Sequence, residues 1–240
     1  MITTIALDYG RVLARPASGD WFFPRHTMKI LGVGNTLRLL RHRRAAQHVA
    51  GKVFDDNLLH SEQEEFEQFC AYYRQLLGGC GITKNLEQAS QALAQFAVYD
   101  PRKVKIYADV LPGIAALKEQ YRVVVISDTW PSLRSVLQHY GVLPLLDDLI
   151  MSCDYGHSKG DYGNGEGGKL FHSAVQHHGI VPEETLFVDD SVHNLEQAKA
   201  MGFHTALMLR AGWVKNGGHA VVHNMRDVQR LVNTLNSTTG

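Results

Sequence analysis

Short apolar runs that alternate with helix-like stretches constrain most strongly what this chain can fold into. Four runs stand out, and a fifth is a weaker candidate; they are 5–7, 123–126, 149–151, 186–188 and, fifth, 205–209. They are continuous rather than alternating in polarity, which is typical of strands buried on both faces of a parallel sheet. The helix-like stretches between them are 113–120, 132–140, 170–178 and 194–201. Strands alternating with helices predict a Rossmann-like, doubly wound α/β fold.

Residues 16–99 break this alternation, because they contain no convincing strand. Ser61 and Glu64 form a capping-box pattern, in which each side chain is expected to accept a backbone amide of the other residue. The helix that follows carries apolar residues on one face, and 85–98 repeats this pattern. The sequence therefore predicts a helical cap of residues 16–99 inserted into an α/β core of residues 1–15 and 100–240.

Composition excludes several classes of function. The chain has 240 residues and a formal net charge of zero, so there is no global electrostatic argument for binding nucleic acid or an anionic membrane. No apolar run approaches the roughly 20 residues of a membrane span. Three cysteines without regular spacing argue against a disulfide framework. We therefore expect a cytoplasmic protein with no membrane or nucleic-acid partner; the sequence leaves its oligomeric state open.

Polar residues that could act in catalysis or ligand binding follow three of the predicted strands. Asp8 ends the first run, Ser127 and Asp128 end the second, and Lys159 lies in the loop after the third. Ligands of parallel α/β sheets bind beyond the carboxyl ends of the strands. Taken singly, each residue also has an ordinary explanation, since an acid or a hydroxyl at a strand end often only caps the next helix and a loop lysine is usually solvated.

The adjacent acids Asp189 and Asp190 end the fourth run and are harder to explain structurally. Two like charges at a buried strand end repel each other and are costly to desolvate without a cation. Magnesium favours hard oxygen ligands and usually takes one or two carboxylates. This pair therefore predicts a metal site.

Together these residues resemble the haloacid dehalogenase (HAD) superfamily over about residues 1–15 and 100–210. The family pattern is a nucleophilic aspartate after the first strand, a serine or threonine after the second, a lysine, and an acidic pair after a later strand. The run 188–194 is particularly close to the fourth family motif, and Val110-Leu111-Pro112-Gly113 resembles the family's usual entry into the core after its cap. The helical insertion resembles the family's small α-helical cap of the first type.

The resemblance implies a phosphate-monoester hydrolase that works through an aspartyl-phosphate on a small phosphorylated metabolite. The implied roles fall into three groups: catalysis by Asp8, Ser127 and Lys159; substrate binding by Ser127, Asp128 and Lys159; and Mg²⁺ coordination by Asp8, the Gly10 carbonyl, Asp190 and, directly or through water, Asp189. Asn194 is expected to orient the loop that carries the acidic pair.

Two features depart from the family pattern. Gly10 occupies the place of the aspartate that normally serves as general acid and base, although a subset of family phosphatases also lacks that acid. A glycine-rich stretch, 160–168, replaces the usual residues after the lysine and leaves Lys159 and Lys169 as candidates. We choose Lys159 because its spacing from Ser152 and Gly156 matches the family, and we interpret the stretch as a flexible insertion.

Gly10 also leaves two alternatives open. The first is a metal-independent 2-haloacid dehalogenase, since those family members lack the second aspartate as well, but their fourth motif carries small polar residues where this chain has Asp189 and Asp190. The second is a non-catalytic phospholigand-binding protein that kept the fold and lost turnover.

Overall fold

The computed structural model describes residues 1–55, 58–161, 168–212 and 215–237. The strands are β1 (Thr4–Leu7), β2 (Ala14–Pro16), β3 (Val104–Ile106), β4 (Arg122–Ser127), β5 (Asp148–Met151), β6 (Thr185–Asp189), β7 (His204–Met208) and β8 (Ala220–Val222). The helices are α1 (Thr27–Leu31), α2 (Val33–Ala50), α3 (Glu62–Gly79), α4 (Leu86–Tyr99), α5 (Val110–Lys118), α6 (Leu133–His139), α7 (Ser152–Tyr155), α8 (Lys169–His178), α9 (Val192–Ala200) and α10 (Met225–Ser237).

Six strands form one parallel sheet in the order β5-β4-β1-β6-β7-β8. All five predicted runs are strands of this sheet, and the predicted doubly wound α/β fold is confirmed. β1 lies at the centre, where Leu7 is in register with Val125 of β4 and Val188 of β6. The residues that follow these three strands are therefore brought together at one edge of the sheet.

Both faces of the sheet are covered. Ala6, Val124 and Phe187 pack in one apolar cluster with residues of α8 and α9. The residues that alternate with them, such as Ile5 and Val125, are equally buried, so the second face is also shielded from water. This is why the strand sequences are apolar without alternation.

Helices α5 and α10 pack against each other at a glycine. A Cβ atom on Gly113 would lie 2.2 Å from the Cβ of Met225, so only glycine permits this approach. Helix α5 begins three residues before the predicted stretch, and its Pro112 is tolerated in the first turn, where the missing amide costs nothing. The sequence did not reveal β2, β3, β8, α1, α2, α7 or α10.

The contacts divide the chain into two compact units. One comprises Met1–Arg15, Ile106–Thr129 and Val136–Gly240, and the other comprises Pro16–Lys105 and Trp130–Ser135. The second unit is helical, with an aromatic core that includes Phe69, Tyr72 and Tyr73. Within the described ranges, no helix has both the length and the apolar character that a bilayer span requires.

The predicted capping box is half correct. The Ser61 hydroxyl accepts the Glu64 amide at 3.2 Å, as expected for the first residue before α3. The Glu64 carboxylate, however, accepts the amide of His60 at 2.7 Å rather than that of Ser61. The side chain thus satisfies an amide one residue farther from the helix.

The helical unit contains a buried carboxylate on α3. Glu65 accepts both the amide and the hydroxyl of Ser132 at 2.7 Å, and the Lys103 ammonium lies 3.0 Å from the same hydroxyl. Burial raises the pKa of Glu65 to about 7, although Lys103 and the two bonds from Ser132 oppose the rise. Glu65 therefore binds a proton more tightly in the folded chain than in the unfolded chain.

This shift predicts that Glu65 makes the protein less stable as the pH rises from about 4.5 to about 7, the interval in which the folded state binds more protons than the unfolded state. Glu65→Gln should remove on the order of 2 kcal/mol of this pH dependence of the free energy of unfolding. Urea unfolding at pH 5 and pH 7.5 measures it. Glu67→Gln, at an exposed site on the same helix, is the control. Equal pH dependence in Glu65→Gln and the unsubstituted protein would contradict the assignment.

Candidate active site

The site is built around Asp8, the first residue after β1. Its amide donates to the Val188 carbonyl of β6 at 2.9 Å, which extends the parallel ladder by one residue and fixes the backbone. Its side chain is buried at the edge of the sheet where β4 and β6 also end. Because a central strand of a parallel sheet has neighbours on both sides, groups from both neighbouring strand ends can reach Asp8.

A buried lysine joins Asp8 to the end of β6. The Lys159 ammonium lies 2.5 Å from Asp8 Oδ1 and 2.7 Å from Asp189 Oδ2, and it also donates to the Ile126 carbonyl at 3.3 Å. Only 1% of its surface is exposed. A lysine is almost never buried to this extent unless it is paired, so the two carboxylates and the ammonium form one electrostatic unit.

The backbone around Lys159 is held by acids as well. The Lys159 amide donates to Asp128 Oδ1 at 2.8 Å, and the Ser158 amide donates to Asp161 Oδ2 at 2.6 Å. Asp128, predicted as a substrate-binding residue, thus fixes the loop that delivers the lysine. Lys169, the other candidate, is exposed at the start of α8.

The two ends of the glycine-rich stretch meet beside Lys159. The Lys169 amide donates to the Asp161 carbonyl at 3.0 Å, and a Cβ atom on Gly168 would lie 1.7 Å from the Lys159 carbonyl oxygen. Only glycine fits at that distance, so the insertion leaves and rejoins the fold at one point. The interpretation of this stretch as a flexible insertion concerns residues 162–167, which lie outside the described residues.

The acidic pair after β6 is held by the start of α9. Asp189 accepts the Ser191 amide at 2.8 Å and the Asn194 side-chain amide at 3.1 Å. Asn194 therefore contacts Asp189 directly, while its role in orienting the loop stays a prediction. Asp190 is half-buried and lies 3.5 Å from the Arg11 guanidinium.

Burial and mutual repulsion shape the acidity of these groups. Burial raises the pKa of Asp8 to about 7, with a further rise from the charge of Asp189, while Lys159 opposes it. Burial and the charge of Asp189 likewise raise the pKa of Asp190. Burial alone lowers the pKa of Lys159, but the carboxylates of Asp189 and Asp8 outweigh it, so that the pKa lies above its ordinary value and the ammonium stays charged.

Three carboxylates at this edge fit a divalent cation. One oxygen each from Asp8, Asp189 and Asp190 lies within 4.8 Å of the others. All three ligands are hard oxygens, which is the set that magnesium prefers. The raised pKa values of Asp8 and Asp190, caused mainly by burial and increased by the charge of Asp189, show that these carboxylates are costly to ionise without a further cation.

The remaining predicted residues lie at the same edge. Ser127 is the last residue of β4 and is buried, and Asp128 follows it. Gly10 lies in the loop after Asp8 and forms an isolated bridge with Ala14. The structure thus brings the predicted residues to one edge of the sheet, while their roles stay predictions.

Sequence reasoning missed Arg11 and Gly168. Arg11 contacts Asp190 and has a left-handed backbone, with φ of 56°, which is uncommon for a residue with a side chain. The position of Arg11, three residues after Asp8, was a usable signal for it. The requirement for glycine at 168 depends on a contact with Lys159 that the sequence does not show.

Comparisons with known proteins identify similar sequences and similar folds. Residues 29–202 match the family model described as haloacid dehalogenase-like hydrolase. The D-ribitol-5-phosphate phosphatase of Bacteroides thetaiotaomicron is 29% identical over 153 residues, which is 60% of this chain and 68% of that protein. A GMP/IMP nucleotidase of Escherichia coli is 30% identical over 109 residues, 45% of this chain; the match spans 46% of the nucleotidase, less than half of its length.

Solved structures share the fold over nearly the whole chain. The HAD-hydrolase YfnB of Bacillus subtilis, solved bound to magnesium, has a TM-score of 0.65 at 14% identity and covers 97% of this chain and 99% of its own. The 2-haloacid dehalogenase of Pseudomonas syringae has a TM-score of 0.67 at 14% identity, covering 98% and 100%. Identities this low show a common fold and do not separate the two chemistries.

The contact at Gly168 predicts a sharp effect of one methyl group. Gly168→Ala should displace the Lys159 backbone, because the added carbon overlaps its carbonyl oxygen. A destabilisation of about 1–3 kcal/mol is the usual cost of such overpacking. Gly78→Ala on α3, where a Cβ meets no atom within 4 Å, is the control. Urea unfolding measures the free energy of unfolding of both variants and of the unsubstituted protein. A Gly168→Ala variant as stable as the unsubstituted protein would show that the loop accommodates the methyl group.

Proposed function

The chain belongs to the haloacid dehalogenase-like hydrolases, and from this membership we propose that it is a magnesium-dependent phosphate-monoester hydrolase with Asp8 as the nucleophile. The observation that carries the proposal is the set of three carboxylate oxygens within 4.8 Å beside a buried lysine. This set suits a cation and an anionic group together, as phosphoryl transfer requires. The phosphatase and nucleotidase names of the two relatives support the same reaction.

In the proposed reaction, a carboxylate oxygen of Asp8 attacks the phosphorus of the substrate. The bond from phosphorus to the ester oxygen breaks, and the phosphoryl group is transferred to Asp8 as an aspartyl-phosphate. Water then attacks this phosphorus, which releases inorganic phosphate and regenerates the Asp8 carboxylate. Two easier steps replace one difficult step, which is the usual benefit of covalent catalysis.

Lys159 and Ser127 are proposed to stabilise the charge of the phosphoryl oxygens during transfer. Lys159 is already bound to Asp8 Oδ1, so its charge is positioned before the substrate arrives. Ser127 ends β4 next to the strand of Asp8, and its hydroxyl is a donor suited to phosphate oxygens. Preorganised charge of this kind is commonly the largest contribution to catalysis.

Asp8, Asp190, the carbonyl of Gly10 and, directly or through water, Asp189 are the proposed magnesium ligands. When bound, the cation would neutralise charge on the phosphate and lower the pKa of the carboxylates that hold it. Asn194 and the Ser191 amide fix Asp189 in either case.

The acidic trio favours this proposal over a metal-independent dehalogenase. A dehalogenase of this fold would have to keep Asp190 beside Asp189 with the exposed Arg11 as the nearest counter-charge to Asp190. Dehalogenases do share the fold with this chain. That likeness shows the fold alone and does not decide between the two chemistries.

The substrate is proposed to be a small phosphorylated metabolite, in line with the ribitol phosphate and the nucleotides in the names of the relatives. Residues 16–99 are proposed to act as the cap that selects it. We propose the cytoplasm as the location, which the three buried cysteines Cys70, Cys80 and Cys153 support, because none of them forms a disulfide.

Asp8→Asn should abolish hydrolysis of an aryl phosphate and leave the fold intact, because an amide of nearly the same shape is a poor nucleophile. Lys159 keeps its contact with Asp189 in this variant. Steady-state turnover with magnesium and circular dichroism measure the two expectations. Asp154→Asn, an exposed carboxylate on α7, is the control. A phosphoryl group trapped on any residue other than Asp8 would refute the assignment.

Gly10 predicts a strong dependence on the leaving group. Without the usual acid, a basic alkoxide receives no proton, and general acid catalysis is typically worth about 10²–10⁴-fold. Aryl and acyl phosphates, which leave without a proton, should therefore be hydrolysed faster than alkyl phosphates in the presence of magnesium. Since water also lacks a general base, rapid mixing should show a burst of product followed by slower turnover.

The same assay separates the alternatives. Binding of phosphate analogues without any magnesium-dependent hydrolysis would favour the non-catalytic phospholigand-binding protein. Turnover of a 2-haloacid without metal, together with no binding of phosphate analogues, would favour the dehalogenase.

A further inference from the structure

The loop that follows Asp8 is folded back on itself. The Tyr9 carbonyl accepts the amides of Leu13 at 2.9 Å and Ala14 at 3.1 Å, and the Arg11 amide donates to the Ala14 carbonyl at 2.7 Å. This turn carries Gly10, and Arg11 within it has the left-handed φ of 56°. A residue with a side chain keeps such a conformation only when the surroundings hold it there.

The guanidinium of Arg210, just after β7, holds this turn from outside. Its Nε and Nη2 atoms donate to the Val12 carbonyl at 3.1 Å and 2.7 Å. Its Nη1 atom contacts both oxygens of Asp109 at 2.8 Å and 2.7 Å, and its central carbon lies 4.3 Å from the centre of the Tyr107 ring. One planar group thus binds a carbonyl, a carboxylate and an aromatic face.

The partner of Arg210 is itself fixed. Asp109 accepts the Met225 amide at 2.8 Å, at the start of α10, and it precedes α5. Burial raises the pKa of Asp109, but the bonds from Arg210 and from the Met225 amide outweigh it, so the pKa lies below its ordinary value and the carboxylate is ionised at neutral pH. The Arg210 side chain is 9% exposed and that of Asp109 is 33% exposed, so water reaches the carboxylate but little of the guanidinium.

We propose that Arg210 is a positioning residue. Its hydrogen bonds to the Val12 carbonyl fix the turn that carries Gly10 and Arg11 in the conformation that the site beside Asp8 requires. Its catalytic consequence rests on the proposed function of Asp8. This role requires the planar guanidinium of arginine, the fork of N–H donors. A lysine ammonium cannot bind the carbonyl and the carboxylate and stack on the ring in one geometry. The contact joins residues 198 positions apart, so the loop after β7 becomes part of the nucleophile's support.

The test compares Arg210→Ala and Arg210→Lys with Arg122→Ala. Arg122 forms another arginine–aspartate pair, at 3.3 Å from Asp148 at the opposite ends of the strands, and is the matched control. Three quantities are measured under conditions where each variant is folded. They are kcat and KM for p-nitrophenyl phosphate with magnesium, Mg²⁺ binding by calorimetry, and hydrogen exchange of the Leu13 and Ala14 amides.

We expect Arg210→Ala to lower kcat on the order of 10²-fold with a smaller change in KM, the scale of a displaced catalytic geometry. Its Mg²⁺ affinity should fall and its two turn amides should exchange faster. Added guanidinium should restore part of the kcat. Arg210→Lys should lie between Arg210→Ala and the unsubstituted protein. Arg122→Ala should keep its kcat, magnesium affinity and turn protection.

Faster exchange with an unchanged kcat and magnesium affinity would overturn the proposal and leave Arg210 a purely structural residue. Unchanged kcat in Arg210→Lys would show that the fork is dispensable and overturn it too, even if Arg210→Ala fails to fold. If the unsubstituted protein hydrolyses no phosphate ester, the proposed function fails. In that event the exchange and calorimetry still decide whether Arg210 positions the turn.

Discussion

The contact on which the rest of the site depends is the buried Lys159 ammonium between the carboxylates of Asp8 and Asp189. Removing Lys159 would leave two carboxylates without their buried counter-charge, and breaking a buried pair in this way costs about 3–5 kcal/mol. Neighbouring groups therefore hold the lysine and its acidic partners in place. The Asp128 carboxylate holds the lysine backbone, and Asn194 with the Ser191 amide holds Asp189. The acids still outnumber the buried cation, and this imbalance is the physical reason to expect a metal here.

The sheet and its edge were predictable from the sequence, because both follow from local patterns. Continuous apolar runs predicted the central strands, and the position of Asp8 and Asp189 directly after two of them predicted that they meet. The short strand β8 carries too little pattern to be recognised, and two of its three residues are exposed. Helix α2 was missed because its apolar residues form no single face: Leu39 is buried, whereas Leu37 and Leu40 are exposed. Only the structure could show that the Glu64 carboxylate accepts the amide of His60 rather than that of Ser61, because both amides are close enough in sequence for its side chain to reach.

Contacts between distant parts of the chain account for the rest of the site. Arg210 touches Val12 across 198 positions, and its neighbours in sequence give no indication of that partner. Gly168 faces the Lys159 carbonyl after a stretch whose length varies from the family pattern. In both cases the requirement on the residue comes from geometry: a planar fork for Arg210, and the absence of a Cβ for Gly168. The sequence gives the residue type at each position, but the requirement for that type comes from a contact with a residue that is distant in sequence and near only in the folded chain.

The position of the glycine-rich stretch shows why such a fold tolerates it. The groups proposed for chemistry are placed by strand ends and by the first residues of loops, and Lys159 lies before the stretch begins. The Lys169 amide bonds to the Asp161 carbonyl, so the chain returns to the point from which it departed. Residues added between two points already in contact cost little in loop-closure entropy, because that cost grows only slowly with length. The departure from the family pattern after Lys159 therefore leaves the buried contact with Asp8 and Asp189 undisturbed. The departure at Gly10 differs in kind, because it removes a functional group from the turn beside Asp8 itself.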